Sequence, residues 1–123
     1  SDHYQGSTND DHGKQDQHPV IVGSMMYSRY YKVDLTNGNV TAFPLSRGNC
    51  GTQSACATHL FGRNYNPYIY ELPAGTPVQM TNETRPGCWI NMIPAGGLLL
   101  IPESSAGCTC DFPIQTSMAF MPE

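Results

Sequence analysis

Charge is what this sequence has least of: Asp, Glu, Lys and Arg make up 13% of its 123 residues, about half of the roughly 25% usual in globular domains. Coiled coils and long helical bundles need charge-rich, Pro-poor sequence, and 10 Pro with 12 Gly exclude them. The six Lys and Arg are scattered as Lys14, Arg29, Lys32, Arg47, Arg63 and Arg85, and the formal net charge is -4. No basic stripe exists to neutralise phosphates, which argues against a nucleic-acid partner. Long apolar runs are missing too. The longest, Leu98-Leu99-Leu100-Ile101, falls far short of the roughly 18 residues a membrane-crossing helix needs, so no transmembrane segment is expected.

Helical periodicity is equally absent. No window places apolar residues at i, i+3, i+4 and i+7 over three turns, and Gly and Pro recur too often for a helix of about ten residues. The expected class is therefore all-β, with less than about 10% helix. Catalytic signatures are also lacking: there is no Ser-His-Asp order, no G-x-S-x-G elbow, no phosphate-cradling Gly loop and no carboxylate pair suited to glycoside hydrolysis. No catalytic residue is assigned, and the reading leans away from an enzyme.

The chain itself has two compositional parts. Residues 1–18 hold Asp, Asn, Gln, Ser and Gly with His3, His12 and His18, and carry no aliphatic side chain. Such a segment cannot bury enough apolar surface to offset its ordering entropy and reads as a polar tail or long loop. It contains no basic region followed by an apolar one, so an export signal, if used, would be removed or lie upstream. Residues 19–123 read as the folded segment, within the size of one domain.

Short β-branched and aromatic runs open that segment: Val20-Ile21-Val22 closed by Gly23, Met25-Met26-Tyr27, and Tyr30-Tyr31-Lys32-Val33-Asp34. Thr36-Asn37-Gly38-Asn39 is the clearest turn, because Asn-Gly supplies the positive φ of a tight hairpin, and residues 40–43 form the returning strand. A repeat follows. Val33-Asp34-Leu35 with Gly38 and Tyr70-Glu71-Leu72 with Gly75 are one pattern displaced by 37 residues, and Tyr31 matches Tyr68 at that offset. Units at about 19–46, 57–84 and 87–121 have the period near 40 of β-propeller blades, each a four-stranded sheet that buries its faces against its neighbours.

The run Tyr31-Lys32-Val33-Asp34-Leu35-Thr36-Asn37-Gly38-Asn39-Val40 resembles the repeat of the pyrroloquinoline-quinone-like (quinoprotein-type) β-propellers. The second unit keeps Glu71, Leu72 and Gly75, with Pro73 in the turn and Pro77 after it. The likeness spans roughly residues 12–122 and extends to the C-terminal blades of secreted or periplasmic bacterial propellers. It is carried there by Asn49-Cys50-Gly51-Thr52, Arg85-Pro86-Gly87-Cys88-Trp89-Ile90-Asn91 and Ala106-Gly107-Cys108-Thr109-Cys110 with residues 113–117. The aromatic that usually follows the Gly turn is Phe43 in the first unit and has no counterpart after Gly75.

Two to three blades do not close a propeller, which needs about four. The expectation is a piece of a longer chain, or a protomer whose open β edges other copies cover. Its function reads as a non-catalytic scaffold or binding platform of a secreted, periplasmic or cell-surface protein. The resemblance carries the alternative of a quinoprotein-type oxidoreductase with its cofactor on the central axis, while the sequence itself requires no cofactor. A subunit of an extracellular assembly is the third reading.

Five cysteines without CxxC spacing point to disulfides in an oxidising compartment, with one thiol left over. Cys50 and Cys56, on either side of a five-residue loop, are one candidate pair. A hairpin turning at Pro94-Ala95-Gly96-Gly97 would hold Cys88 near Cys108 and Cys110, either of which can be its partner. Cys108-Thr109-Cys110 also has the same-face geometry of two soft metal ligands, as Asp10-Asp11-His12 with Asp16 and His18 has N/O donors. Both are weak metal candidates: the first lacks a second soft pair, and polar density in a tail is mostly solvation. His59 falls in a predicted strand and reads as packed or hydrogen-bonded. The tyrosines 27, 30, 31, 65, 68 and 70 read as packing groups, with a sugar-stacking face as the alternative. Asn39-Val40-Thr41 and Asn82-Glu83-Thr84 are permissive glycosylation sequons.

Overall fold

The computed structural model describes residues 18–28, 31–43, 52–64, 66–87, 91–103 and 116–123. No helix occurs among them, and the chain is all-β as its Gly and Pro spacing demands. The first sheet is formed by β1 (Val20–Val22), β2 (Met25–Tyr27), β3 (Tyr31–Asp34) and β4 (Val40–Ala42). The second holds β5 (Ser54–Ala55), β6 (His59–Asn64), β7 (Asn66–Glu71) and β8 (Val78–Gln79), and the third β9 (Ile93–Ala95), β10 (Leu98–Ile101) and β11 (Met118–Phe120). Each sheet is an antiparallel meander in chain order, and none closes into a barrel or ring. The polar segment lies outside the described residues up to position 17.

The 37-residue repeat is a repeat of hydrogen bonds. Leu35 N–H donates to Ser24 O and Leu72 N–H to Thr58 O, both at 2.8 Å, while Gly38 N–H reaches Asp34 O at 2.7 Å and Gly75 N–H reaches Glu71 O at 2.8 Å. In the first unit Asp34 folds the turn further. Its carboxylate accepts from Thr36 N–H at 2.9 Å and Thr36 Oγ1 at 2.6 Å, and these bonds hold its pKa below the usual carboxylate value. The glycine is required for a different reason in each unit. Gly38 has φ +76 in open space, whereas a Cβ on Gly75 would sit 2.6 Å from Glu71 O.

Leu60 and Phe61 are adjacent in β6 and point to opposite faces of the second sheet. Leu60 joins Tyr27, Phe43 and Tyr70 between the first and second sheets, with Val22, Met25, Ala55 and Leu72 around them. Phe61 joins Met92, Leu99 and Ile101 between the second and third. Phe43 is the centre of the first cluster: its ring lies 5.1 Å from Tyr27 and 5.0 Å from Tyr70, edge-on to the latter. The aromatic after the first Gly turn thus does stack on the neighbouring sheet. Burial raises the pKa of both phenols, and Tyr70 adds to the effect on Tyr27.

The third sheet corrects one boundary. The turn expected over Pro94-Ala95-Gly96-Gly97 is confined to Gly96 and Gly97, with φ of 59 and 78, and Pro94 lies within β9 opposite Leu99. Two glycines at positive φ complete a two-residue hairpin, and Pro is tolerated in β9 because that strand is an edge. Trp89 lies outside the described residues.

Two substitutions test this packing. Phe43→Ala is expected to lower stability by about 3–5 kcal/mol, and Gly75→Ala by about 1–3 kcal/mol through its clash with the Glu71 carbonyl. Urea denaturation followed by far-UV circular dichroism measures both, and a Gly75→Ala midpoint equal to wild type would contradict the contact.

Candidate functional site

Neighbouring sheets leave a groove at the end where the first hairpin of each turns. Between the first and second sheets it encloses about 780 Å³, with Val22, Met25 and Tyr27 on one wall and Ala55, Leu72 and Pro73 on the other. Between the second and third it encloses about 530 Å³, with His59, Phe61 and Ile69 facing Leu99, Phe120 and Pro122. These are the same positions of the repeat. Register pairs Val22 with Met25 and Ala95 with Leu98 at the hairpin ends, and Cys56 N–H to His59 O at 2.9 Å occupies that place in the second sheet.

What differs is the chemistry at the hairpin. Cys56 borders both grooves, and the second adds Thr58 and His59 beside it. Cys56 Sγ lies 3.7 Å from Thr58 Oγ1, which is 2.8 Å from His59 Nδ1. The imidazole stacks on Phe61 with ring centroids 6.4 Å apart. Burial pushes the Cys56 thiol up, but the Thr58 backbone and hydroxyl and the His59 backbone outweigh it, so the thiol ionises below its ordinary value. The arrangement is a thiol, hydroxyl and imidazole in line beside an apolar groove.

The residues singled out from sequence are distributed as follows. Cys56, expected to bridge Cys50, carries a free, exposed thiol turned toward Thr58. Cys50, Cys88, Cys108 and Cys110 lie outside the described residues, and so do His3, His12 and the bridges and metal sets expected of them. His18 is exposed just before β1, and among the described residues no three His, Cys, Asp or Glu side chains gather as a metal set. His59 is hydrogen-bonded and stacked, as its strand position implied. The described tyrosines form no common sugar-stacking face: Tyr27 and Tyr70 are in the core, Tyr31 is exposed, and Tyr68 Oη bonds Gln79 Oε1 at 3.1 Å. Tyr30 and Tyr65 are not among the described residues. Thr58 was not singled out from sequence, because nothing local distinguishes it from other turn threonines.

Compared with protein-family models, with curated proteins and with solved structures, the chain has no match.

The lowered thiol pKa sets an expectation for Cys56. More thiolate is present near neutral pH than in an ordinary cysteine, so iodoacetamide should label it quickly there. Thr58→Ala removes a stabilising bond and should slow labelling at neutral pH, with the two rates converging above the ordinary thiol pKa of 9.0. Peptide mapping of alkylated Cys56 across pH reads this, and equal rates at neutral pH would refute it.

Proposed function

We propose that the three sheets are successive blades of a β-propeller of the quinoprotein-like kind, acting as a non-catalytic scaffold and binding platform. One observation carries this reading: the first strands of the three sheets follow one another, β1 lying against β5 and β5 against β9. In a propeller the first strand of each blade lies nearest the axis, and blades stack face to face through apolar side chains around it. The repeated hydrogen bonds of Asp34 and Glu71 and the two interfaces through Leu60 and Phe61 support it further. The grooves between blades, open beside the hairpin ends, supply the concave apolar surface of a binding platform. A secreted or periplasmic setting belongs to the same proposal, supported by five cysteines in 123 residues.

A crystal structure tests it. Successive sheets should be related by a rotation of roughly 45–90° about an axis beside β1, β5 and β9, as closed rings of about four to eight blades require. Sheets related by simple stacking, with no common axis, would end the propeller reading.

A further inference from the structure

Register makes the repeat directional. In the first sheet Ile21 lies opposite Met26, Met26 opposite Val33 and Val33 opposite Val40. Residues paired in this way share a face, so these four side chains form one apolar row across all four strands. The corresponding row of the second sheet is Ala55, Leu60 and Tyr70, and of the third Pro94, Leu99 and Phe120. Leu60 and Tyr70 are buried against the first sheet, and Leu99 and Phe120 pack against the second. In both internal interfaces this row is the back of a sheet, received by the front of the one before it.

In the first sheet no described element packs behind the same row. Ile21 and Val40 are each 60% exposed and Met26 and Val33 half-buried, although Ala55, the counterpart of Ile21, packs in the first interface. At the other end of the molecule, Ile93 lies opposite Leu100 on the front of the third sheet and is 41% exposed. The described sheets thus leave one back and one front of an interface that they make twice between themselves.

We infer that a second copy of this chain docks here, the front of its third sheet, around Ile93, covering the Ile21, Met26, Val33 and Val40 row. The inference rests on the blade reading above and deepens it by naming the partner. Ring arithmetic selects the number of copies. Closed propellers have about four to eight blades, and the three described sheets give six in two copies and nine in three. The interface is heterologous, front to back, and made twice it closes the ring and leaves no apolar face open.

Light scattering on size-exclusion chromatography of the reduced 123-residue protein is the test, reduction removing any dimer made only by disulfides. The expected mass is twice 13.5 kDa. Val40→Glu should abolish the dimer, as should Ile21→Glu, a second variant at an equally exposed position. Thr41→Glu, on the other face of β4, should not. Ile93→Glu should also give monomer, and mixing it with Val40→Glu should restore an open dimer, because one front and one back remain intact. A wild-type monomer, or a dimer that survives both Val40→Glu and Ile21→Glu, overturns the inference. Either result leaves the rotation between sheets, and with it the blade reading, to be judged separately by the crystal structure.

Discussion

Successive side chains on a strand point to opposite faces, and in β6 that rule falls on two large apolar residues in a row. Leu60 is fully buried on one side and Phe61 buried on the other, so at β6 the second sheet is packed on both faces. Everything else in the described structure follows from this double burial. The first sheet must offer it an aromatic face, which Tyr27 and Phe43 provide, and the third an aliphatic one, which Leu99 and Ile101 provide. The strands are short, and each sheet has an apolar face that only a neighbouring sheet covers. They are stable as a set because each interface is shared.

The repeat is conserved in geometry while its chemistry is free to change. Asp34 and Glu71 receive the same glycine N–H on the backbone, yet only Asp34 uses its carboxylate to organise the turn. Gly38 and Gly75 occupy one position for unrelated reasons, backbone conformation in one and lack of space in the other. The grooves follow the same rule. Met25 and His59 are equivalent, and exchanging a thioether for an imidazole places a hydrogen-bonding ring at the mouth of the second groove. Specificity on such a scaffold is set by single side chains at fixed places, with no need to alter the sheets.

Local chemistry was legible in the sequence, and long-range placement was not. Asn37-Gly38 announced its hairpin because only certain residues accept positive φ, and the short strands announced themselves by β-branched and aromatic content. Asp34 and Glu71 exposed the repeat. The sheet-to-sheet role of Phe43 could not be read, since one aromatic after a turn looks alike whether it stacks or faces solvent. Cys56 shows the same limit. Spacing allowed a bridge to Cys50, but the direction of its thiol is fixed by the turn into β6 and by Thr58, neither of which spacing encodes. The grooves are products of two sheets meeting, and no single segment carries their signal.

The meander order of the strands bears on how the chain is made. Among the described residues no strand crosses from one sheet to another, so each sheet can be completed in chain order. During synthesis, at about 5–20 residues per second, the 37 residues of one repeat take roughly 2–7 s to appear. For that interval the Tyr27 face of a newly formed sheet waits uncovered, and then the next sheet emerges in the order in which it is needed. A vectorial process therefore limits the exposure of sticky surface to one sheet at a time, which a fold with interleaved strands could not do.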